Sequence, residues 1–221
     1  MPAKKTPNKE TLVLLDRDGV LCKDVKDGVL NISQLKLAPK LSTSLGKLNK
    51  NGIRIGIVTN QPSISRGKLK MAELRKMHRI LAKKAKDSGI SARNFTIKVC
   101  PHTNEDNCKC RKPKTGLIKQ VVQQFRLRSR NTRFYIVGDK LTDIQTLENY
   151  YKDVLKPLKV PRSAITTILL RWGYADESEA RRTLTVGNIK IVPDYEVSSF
   201  DKAVDLVLKL VRHNGLKTYL A

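Results

Sequence analysis

No apolar run in this 221-residue chain approaches the roughly 20 residues of a membrane-spanning helix, so no membrane partner is expected. Residues 1–10 are polar and basic and contain no apolar core of a secretory signal. The same segment is too short, and too poor in arginine and serine, for a transit peptide. The expectation is an intracellular protein, cytoplasmic or mitochondrial, with no clear targeting signal. Acidic residues are scarce: 20 Asp and Glu stand against 44 Lys and Arg, a net charge of +24. A field of that sign attracts polyanions such as RNA, DNA or an anionic surface. The plainer reading is a soluble basic protein from a lysine-rich proteome. Cysteines number four, and three of them lie within residues 100–110. Without a secretory context, that clustering speaks for metal binding before disulfides. The single tryptophan, Trp172, is expected to pack beside a sheet.

With 40% hydrophobic residues the chain can bury a core, and its length suits one α/β domain with an insertion. Short, near-continuous apolar runs rich in Ile and Val lie at residues 11–16, 53–59, 95–99, 134–138, 165–171 and 189–192, as in buried parallel strands. Helical stretches alternate with them at 39–50, 67–87, 115–125, 142–151 and 199–213. This alternation predicts a doubly wound, mainly parallel sheet. Residues 1–10 read as a basic tail, residues 11–221 as a single domain, and about 150–163 as an inserted basic surface loop with two prolines. A monomer is favoured.

In the helix at 67–87, Met71, Leu74, His78, Leu81 and Ala85 follow a helical period and are expected to be buried, with His78 packed in the core. Arg75, Arg79, Lys83 and Lys86 follow the same period on another face. That ridge is either a solvated surface or a contact for nucleic-acid phosphates. Arg126, Arg128, Arg130 and Arg133, with Lys152, Lys156, Lys159 and Arg162, extend the basic surface. In the last helix, Phe200, Ala203, Val204, Val207, Leu208 and Val211 form the buried face, with Ser198 or Ser199 as its cap.

The most informative segment is Leu15-Asp16-Arg17-Asp18-Gly19-Val20-Leu21. Two carboxylates leave the carboxyl end of the first strand, and the glycine lets the chain turn away. Alone, such a pattern also caps turns. Three further elements repeat the placement: Val58-Thr59-Asn60-Gln61 after the second strand, Cys110-Arg111-Lys112-Pro113 before a helix, and Gly138-Asp139-Lys140-Leu141-Thr142-Asp143 after the fourth strand. Acids, a hydroxyl and a lysine at the carboxyl ends of parallel strands form a combined signal for phosphate and cation chemistry. Cys100, His102, Cys108 and Cys110 form C-x-H-x5-C-x-C, three thiols and an imidazole spaced for a structural tetrahedral Zn2+ with no open position.

The order of these motifs resembles the haloacid dehalogenase superfamily of phosphotransferases. The finer match is to its zinc-containing branch, which includes histidinol phosphatase and D-glycero-D-manno-heptose-1,7-bisphosphate 7-phosphatase. The text carrying it is LLDRDGVL, VTNQPSISRG, CPHTNEDNCKCRKPKTG, IVGDKLTDI and LLRWG, most of the chain. The resemblance implies a Rossmann-like fold with a zinc-bound loop in place of a large cap domain. It also implies an Mg2+-dependent phosphomonoesterase acting on a small phosphosugar or phosphoalcohol. Asp16 would be the nucleophile and Asp18 the general acid and base. Thr59 and Asn60 would cradle the phosphoryl group, and Lys112 would neutralise it and hold Asp16. Mg2+ would lie on Asp16, the Asp18 carbonyl and Asp139, with Asp143 in its outer shell. Arg111 would stand over the phosphate, and Arg66 is either a substrate-side residue or a surface arginine. Cys22 stands where relatives commonly have asparagine, and reads as a structural thiol at an altered pocket lip.

Three departures from the pattern stand out: a short zinc loop, a long basic segment after Asp143, and the +24 charge. The charge supports two alternatives. One is a nucleic-acid phosphate end as substrate. The other is the same fold recruited as an RNA-binding component of a ribosome or similar particle.

Overall fold

In the first strand, β1 (Glu10–Leu15), successive side chains point to opposite faces, and both faces are covered. Val13 and Leu15 enter one apolar cluster, Leu12 and Leu14 the other. The same division runs through β2 (Arg54–Asn60), β3 (Phe95–Cys100), β4 (Thr132–Gly138) and β5 (Ile165–Leu170). A short β6 (Tyr195–Val197) completes a six-stranded parallel sheet in the order β3-β2-β1-β4-β5-β6. The computed structural model describes residues 9–172 and 192–216.

One face of the sheet is covered by α1 (Leu41–Lys50), α2 (Met71–Asp87) and α5 (Phe200–Leu216). Leu45, Leu48, Leu81, Phe200, Val204 and Val207 pack there against Val13, Ile55, Ile57, Tyr135 and Ile168. The other face is covered by α3 (Gly116–Gln124) and α4 (Leu141–Tyr150). Leu117, Val121, Ile144 and Leu147 pack there against Leu12, Leu14, Phe134 and Ile136. This is the Rossmann-like α/β architecture that the alternation predicts. The strand order reverses at β1, so the crevice beyond the carboxyl ends of β1, β2 and β4 is the switch point where such sheets place their sites.

The structure corrects several local expectations. Met71 is exposed at the start of α2, and Met77 is buried in its stead beside Leu74, Leu81 and Ala85. The helix begins at Met71, so the stripe runs one turn later along its axis. Arg75, Arg79, Lys83 and Lys86 are exposed, as a ridge requires. The stretch read as a surface loop continues α4 as a π-helical turn (Tyr151–Leu155). Leu155 and Val160 are buried there, because the helix still has a sheet face to cover. Arg162 does not face outward freely but pairs with Glu148 and Asp194. Trp172 packs against the first cluster. Of the strand expected at 189–192, residues 189–191 lie outside the described residues, as does Gly173 of the LLRWG motif; the described sixth strand is Tyr195–Val197. At the start of α5, Ser199 stands in the cap position, its carbonyl accepting from the Ala203 N–H.

Candidate active site

The ends of β1 and β4 bring the acids of the first and last motifs together. Carboxylate oxygens of Asp16, Asp139 and Asp143, all three buried, lie within 4.8 Å of one another. Two glycines make this approach feasible. Gly19 turns the chain at φ +77, and a Cβ there would come 2.2 Å from Asp139 Oδ2. A Cβ on Gly138 would come 2.1 Å from that of Asp143.

Lys112 enters the same point from the loop after β3. Its Nζ lies 2.9 Å from Asp16 Oδ1 and 2.5 Å from Asp143 Oδ1, with only 2% of the side chain exposed. Asn60 fixes the lysine's backbone: Lys112 N–H donates to Asn60 Oδ1 at 3.0 Å, and Asn60 Nδ2 donates to the Lys112 carbonyl at 3.2 Å. Asp143 also accepts from the Lys140 N–H at 3.1 Å, which caps the start of α4 with a carboxylate. Lys140 Nζ pairs with Asp24 at 2.8 Å.

Burial dominates the electrostatics. It pushes the Asp16 carboxyl up, Lys112 draws it down, Asp143 and Asp18 raise it again, and it settles at about 6. Burial lifts Asp139 well above the usual carboxylate range, against the pull of Lys140. Burial lowers the Lys112 ammonium, but the Asp143 and Asp16 carboxylates outweigh that and hold it above the ordinary lysine value. Hard carboxylate oxygens converging in a buried site that disfavours their charged forms fit a small divalent cation such as Mg2+.

Asp18 lies beside this cluster in a different setting. Arg17, fully buried, donates from Nε to Asp18 Oδ1 and from Nη2 to Asp18 Oδ2, both at 2.8 Å. Gln61 Nε2 adds a third donor to Oδ2 at 2.8 Å, and Cys22 Sγ lies 3.3 Å from Oδ1. Burial would raise this carboxyl, but Arg17 with the Gln61 and Cys22 donors overcomes it and the group sits below its ordinary value. Cys22 therefore stands behind Asp18, with no exposed surface, and not on the pocket lip; burial next to a carboxylate raises its thiol pKa. On α2, His78 faces the same network, and burial followed by the Arg17 charge lowers it to about 4.

A cavity of about 730 Å3 opens over these groups. Asp16, Asp18, Asn60 and Lys112 form part of its floor, and Arg66, Arg111, Lys26 and Lys140 bring positive charge to its walls. Thr59 is buried just beneath, its Oγ1 accepting from Gln61 Nε2 at 2.9 Å. Arg111 is oriented by Asn104 Oδ1 at 2.6 Å and the His102 carbonyl at 3.1 Å. All the sequence-predicted site residues on the three strand ends and the loop thus meet in one place. Sequence reasoning missed Arg17 and Gln61, although both lie inside the motifs, because neither carries an obvious reaction role. It also missed the segment 24–28, which forms one wall. Its signal was the Asp27-Gly28 pair, a turn dipeptide with φ of +70 and +88.

The four zinc-type ligands also converge. Cys100 Sγ lies 3.5 Å from Cys108 Sγ and 3.6 Å from His102 Nδ1, and Cys110 Sγ lies 3.5 Å and 3.4 Å from the same two groups. Bonds of roughly 2.0–2.3 Å to a central zinc give tetrahedral edges of about 3.5–3.8 Å. Sulfurs so spaced are far from disulfide contact, and all four cysteines are free. The Arg111 N–H donates to Cys108 Sγ at 3.3 Å, tying the cluster to the residue before Lys112. The set fits a structural Zn2+ that shapes the loop.

The sequence model of the family described as polynucleotide kinase 3 phosphatase matches residues 12–156. A D-glycero-beta-D-manno-heptose-1,7-bisphosphate 7-phosphatase of Neisseria meningitidis is 32% identical over 137 residues, 62% of this chain and 71% of the relative. A probable D-glycero-D-manno-heptose-1,7-bisphosphate 7-phosphatase of Thermoplasma volcanium is 34% identical over 128 residues, 58% of this chain and 84% of the relative. Among solved structures, the D,D-heptose 1.7-bisphosphate phosphatase from B. bronchiseptica, complexed with magnesium and phosphate, shares the fold with a TM-score of 0.71 at 22% identity. That likeness covers 90% of this chain and 98% of the other.

Proposed function

The chain belongs to the polynucleotide kinase 3 phosphatase family and, within the haloacid dehalogenase superfamily, to the heptose bisphosphate phosphatase branch; from that membership we propose that it hydrolyses a phosphomonoester by way of an aspartyl phosphate. The observation that carries this reading is the convergence of Asp16, Asp139 and Asp143, with Lys112 paired to Asp16 and Asp143, where Asp16 and Lys112 line an open cavity.

An Asp16 oxygen attacks phosphorus, the bond from phosphorus to the ester oxygen breaks, and the electron pair leaves with that oxygen. Asp18 rests ionised against Arg17 and Gln61, so it must first take up a proton as the substrate binds; it then gives that proton to the leaving oxygen and so releases the alcohol. Asp18 then takes a proton from the water that attacks the aspartyl phosphate, the phosphorus–Asp16 bond breaks, and inorganic phosphate leaves. Lys112 holds Asp16 in place and offsets charge on the phosphoryl oxygens, which Thr59 and the Asn60 backbone also receive. Mg2+ would be held by Asp16, Asp139 and the Asp18 carbonyl, with Asp143 one shell further out. When bound, it supplies positive charge against the phosphate dianion. Arg111 and Arg66 meet the rest of the substrate from the cavity walls.

The substrate that the relatives' names favour is a small phosphosugar. A phosphate at a polynucleotide end is the second reading, supported by the family's description, the +24 charge and the four cations on the cavity walls. Recruitment to RNA or a ribosomal particle finds no support in the relatives' names. The exposed basic face of α2 is the surface it would use. Among the described residues no helix is long and apolar enough to cross a membrane.

The decisive experiment is hydrolysis of a generic aryl phosphate with and without Mg2+ by the wild type and by Asp16→Asn. Metal-dependent turnover that the substitution abolishes is expected. Equal rates for the two proteins would remove the mechanism. A screen of phosphosugars against 3′-phosphorylated oligonucleotides then separates the two substrate readings.

A further inference from the structure

The residue that binds the phosphate seat to the acid/base is neither of the motif carboxylates. Gln61 follows the last residue of β2 and is 4% exposed. Its side-chain amide touches three site groups at once. Oε1 accepts from Arg17 Nη2 at 3.0 Å, while Nε2 donates to Asp18 Oδ2 at 2.8 Å and to Thr59 Oγ1 at 2.9 Å. A guanidinium offers donors only, and an ionised carboxylate acceptors only. The amide therefore has one satisfactory orientation: its oxygen on Arg17 and one hydrogen each for Asp18 and Thr59.

Two consequences follow. The Thr59 oxygen is occupied by the Gln61 hydrogen, so the Thr59 hydroxyl proton must point away from the amide and is left to donate to an incoming acceptor. The Asp18 carboxylate is gripped on one edge by Arg17 and on the other side of Oδ2 by Gln61, so its position is set by the same amide. Arg17 in turn reaches Asp18 and Gln61 through Nε and Nη2, and its Nη1 is buried with no hydrogen-bond partner among the described residues.

We propose that Gln61 is a positioning residue that couples the phosphate seat at Thr59 to proton delivery by Asp18. The role rests on the phosphatase reading given above. It acts through two other side chains and takes no proton itself. An aryl ester with a good leaving group departs without a proton, whereas an alkyl ester needs one from Asp18. Loosening Asp18 therefore harms the second substrate more than the first.

The test measures kcat/KM for p-nitrophenyl phosphate and for a simple alkyl phosphate with Mg2+, in the wild type, Gln61→Leu and Gln61→Glu. The leucine removes all three hydrogen bonds at similar size. The glutamate keeps the acceptor for Arg17 and loses the two donors, and so serves if the leucine protein does not fold. The aryl-to-alkyl ratio of kcat/KM is expected to rise at least about tenfold in either variant. An unchanged ratio, whether the rates fall or not, overturns the role of Gln61 while the phosphatase reading stands. A wild type that hydrolyses neither ester overturns both.

Discussion

Asn60 grips the peptide of Lys112 from both sides, accepting from its N–H at 3.0 Å and donating to its carbonyl at 3.2 Å. The two residues are 52 positions apart, so this clamp joins the end of β2 to the loop that follows the zinc-type cluster. Asn60→Ala removes both bonds and leaves the lysine's ammonium free to drift from Asp16. A fall in kcat/KM of about 10- to 100-fold is expected, since small misplacements at a reacting centre cost that much. Two lost hydrogen bonds cost about 1–3 kcal/mol of stability. Kinetics on an aryl phosphate and a denaturant titration read the two effects separately.

The zinc-type cluster should act on the same lysine from the other direction. Its ligands end at Cys110, two residues before Lys112, and Cys108 Sγ receives the Arg111 N–H. Metal analysis is expected to find one zinc per chain in the purified protein. Cys108→Ser or a strong chelator should remove it and loosen a polar loop with little core of its own, lowering activity without touching a reacting group. A metal-free protein with full activity would contradict the assignment.

How much of this was legible in the chain follows from where each signal lies. Strands β1, β2, β4 and β5 carry apolar runs covered on both faces, and the edge strand β3 alternates apolar with polar residues, so sequence alone located each to within a residue or two. The acids, threonine and lysine stand at fixed places on those strand ends, so the site assembled itself once the sheet did. Met77 was missed although it lies on the expected stripe, three residues after Leu74 and four before Leu81, because His78 was read into that turn in its place. The stretch after Tyr150 was misread because its lysines and prolines mask Leu155 and Val160, whose burial only the packed sheet face explains. Gln61 was missed because an amide in a turn has no chemistry until its three partners are known.

The carboxylate cluster predicts a trade of stability for function. Asp139 is fully buried near Asp16 and Asp143, and burial holds its carboxyl well above the normal range. An amide of the same shape carries no charge to desolvate. Asp139→Asn is therefore expected to raise the melting temperature of the metal-free protein by about 2–6 °C. The same substitution should abolish both hydrolysis and the stabilisation that Mg2+ confers on the wild type, which follows from mass action on a bound ligand. Thermal melts with and without Mg2+ give all of these in one experiment. A variant that is less stable without metal, or still stabilised by it, would contradict the site.

His78 supplies a pH dependence that is independent of turnover. Burial and then the charge of Arg17 lower it from 6.5 to about 4, so the native fold holds it neutral while the unfolded chain binds a proton below pH 6.5. Between those values the unfolded state carries more protons, and stability falls as the pH drops from about 6.5 to about 4. Below pH 4 both states are protonated and this contribution is exhausted. The full effect is up to about 3 kcal/mol for a shift of this size. A His78→Gln protein lacks the titrating ring and should show a flatter stability profile across that window, with the two curves separating most between pH 5 and 6 in slope. Urea titrations at half-unit steps of pH measure the difference directly. Parallel curves for the two proteins would mean that the ring takes up its proton equally in the fold and in the unfolded chain, which its burial beside Arg17 does not allow.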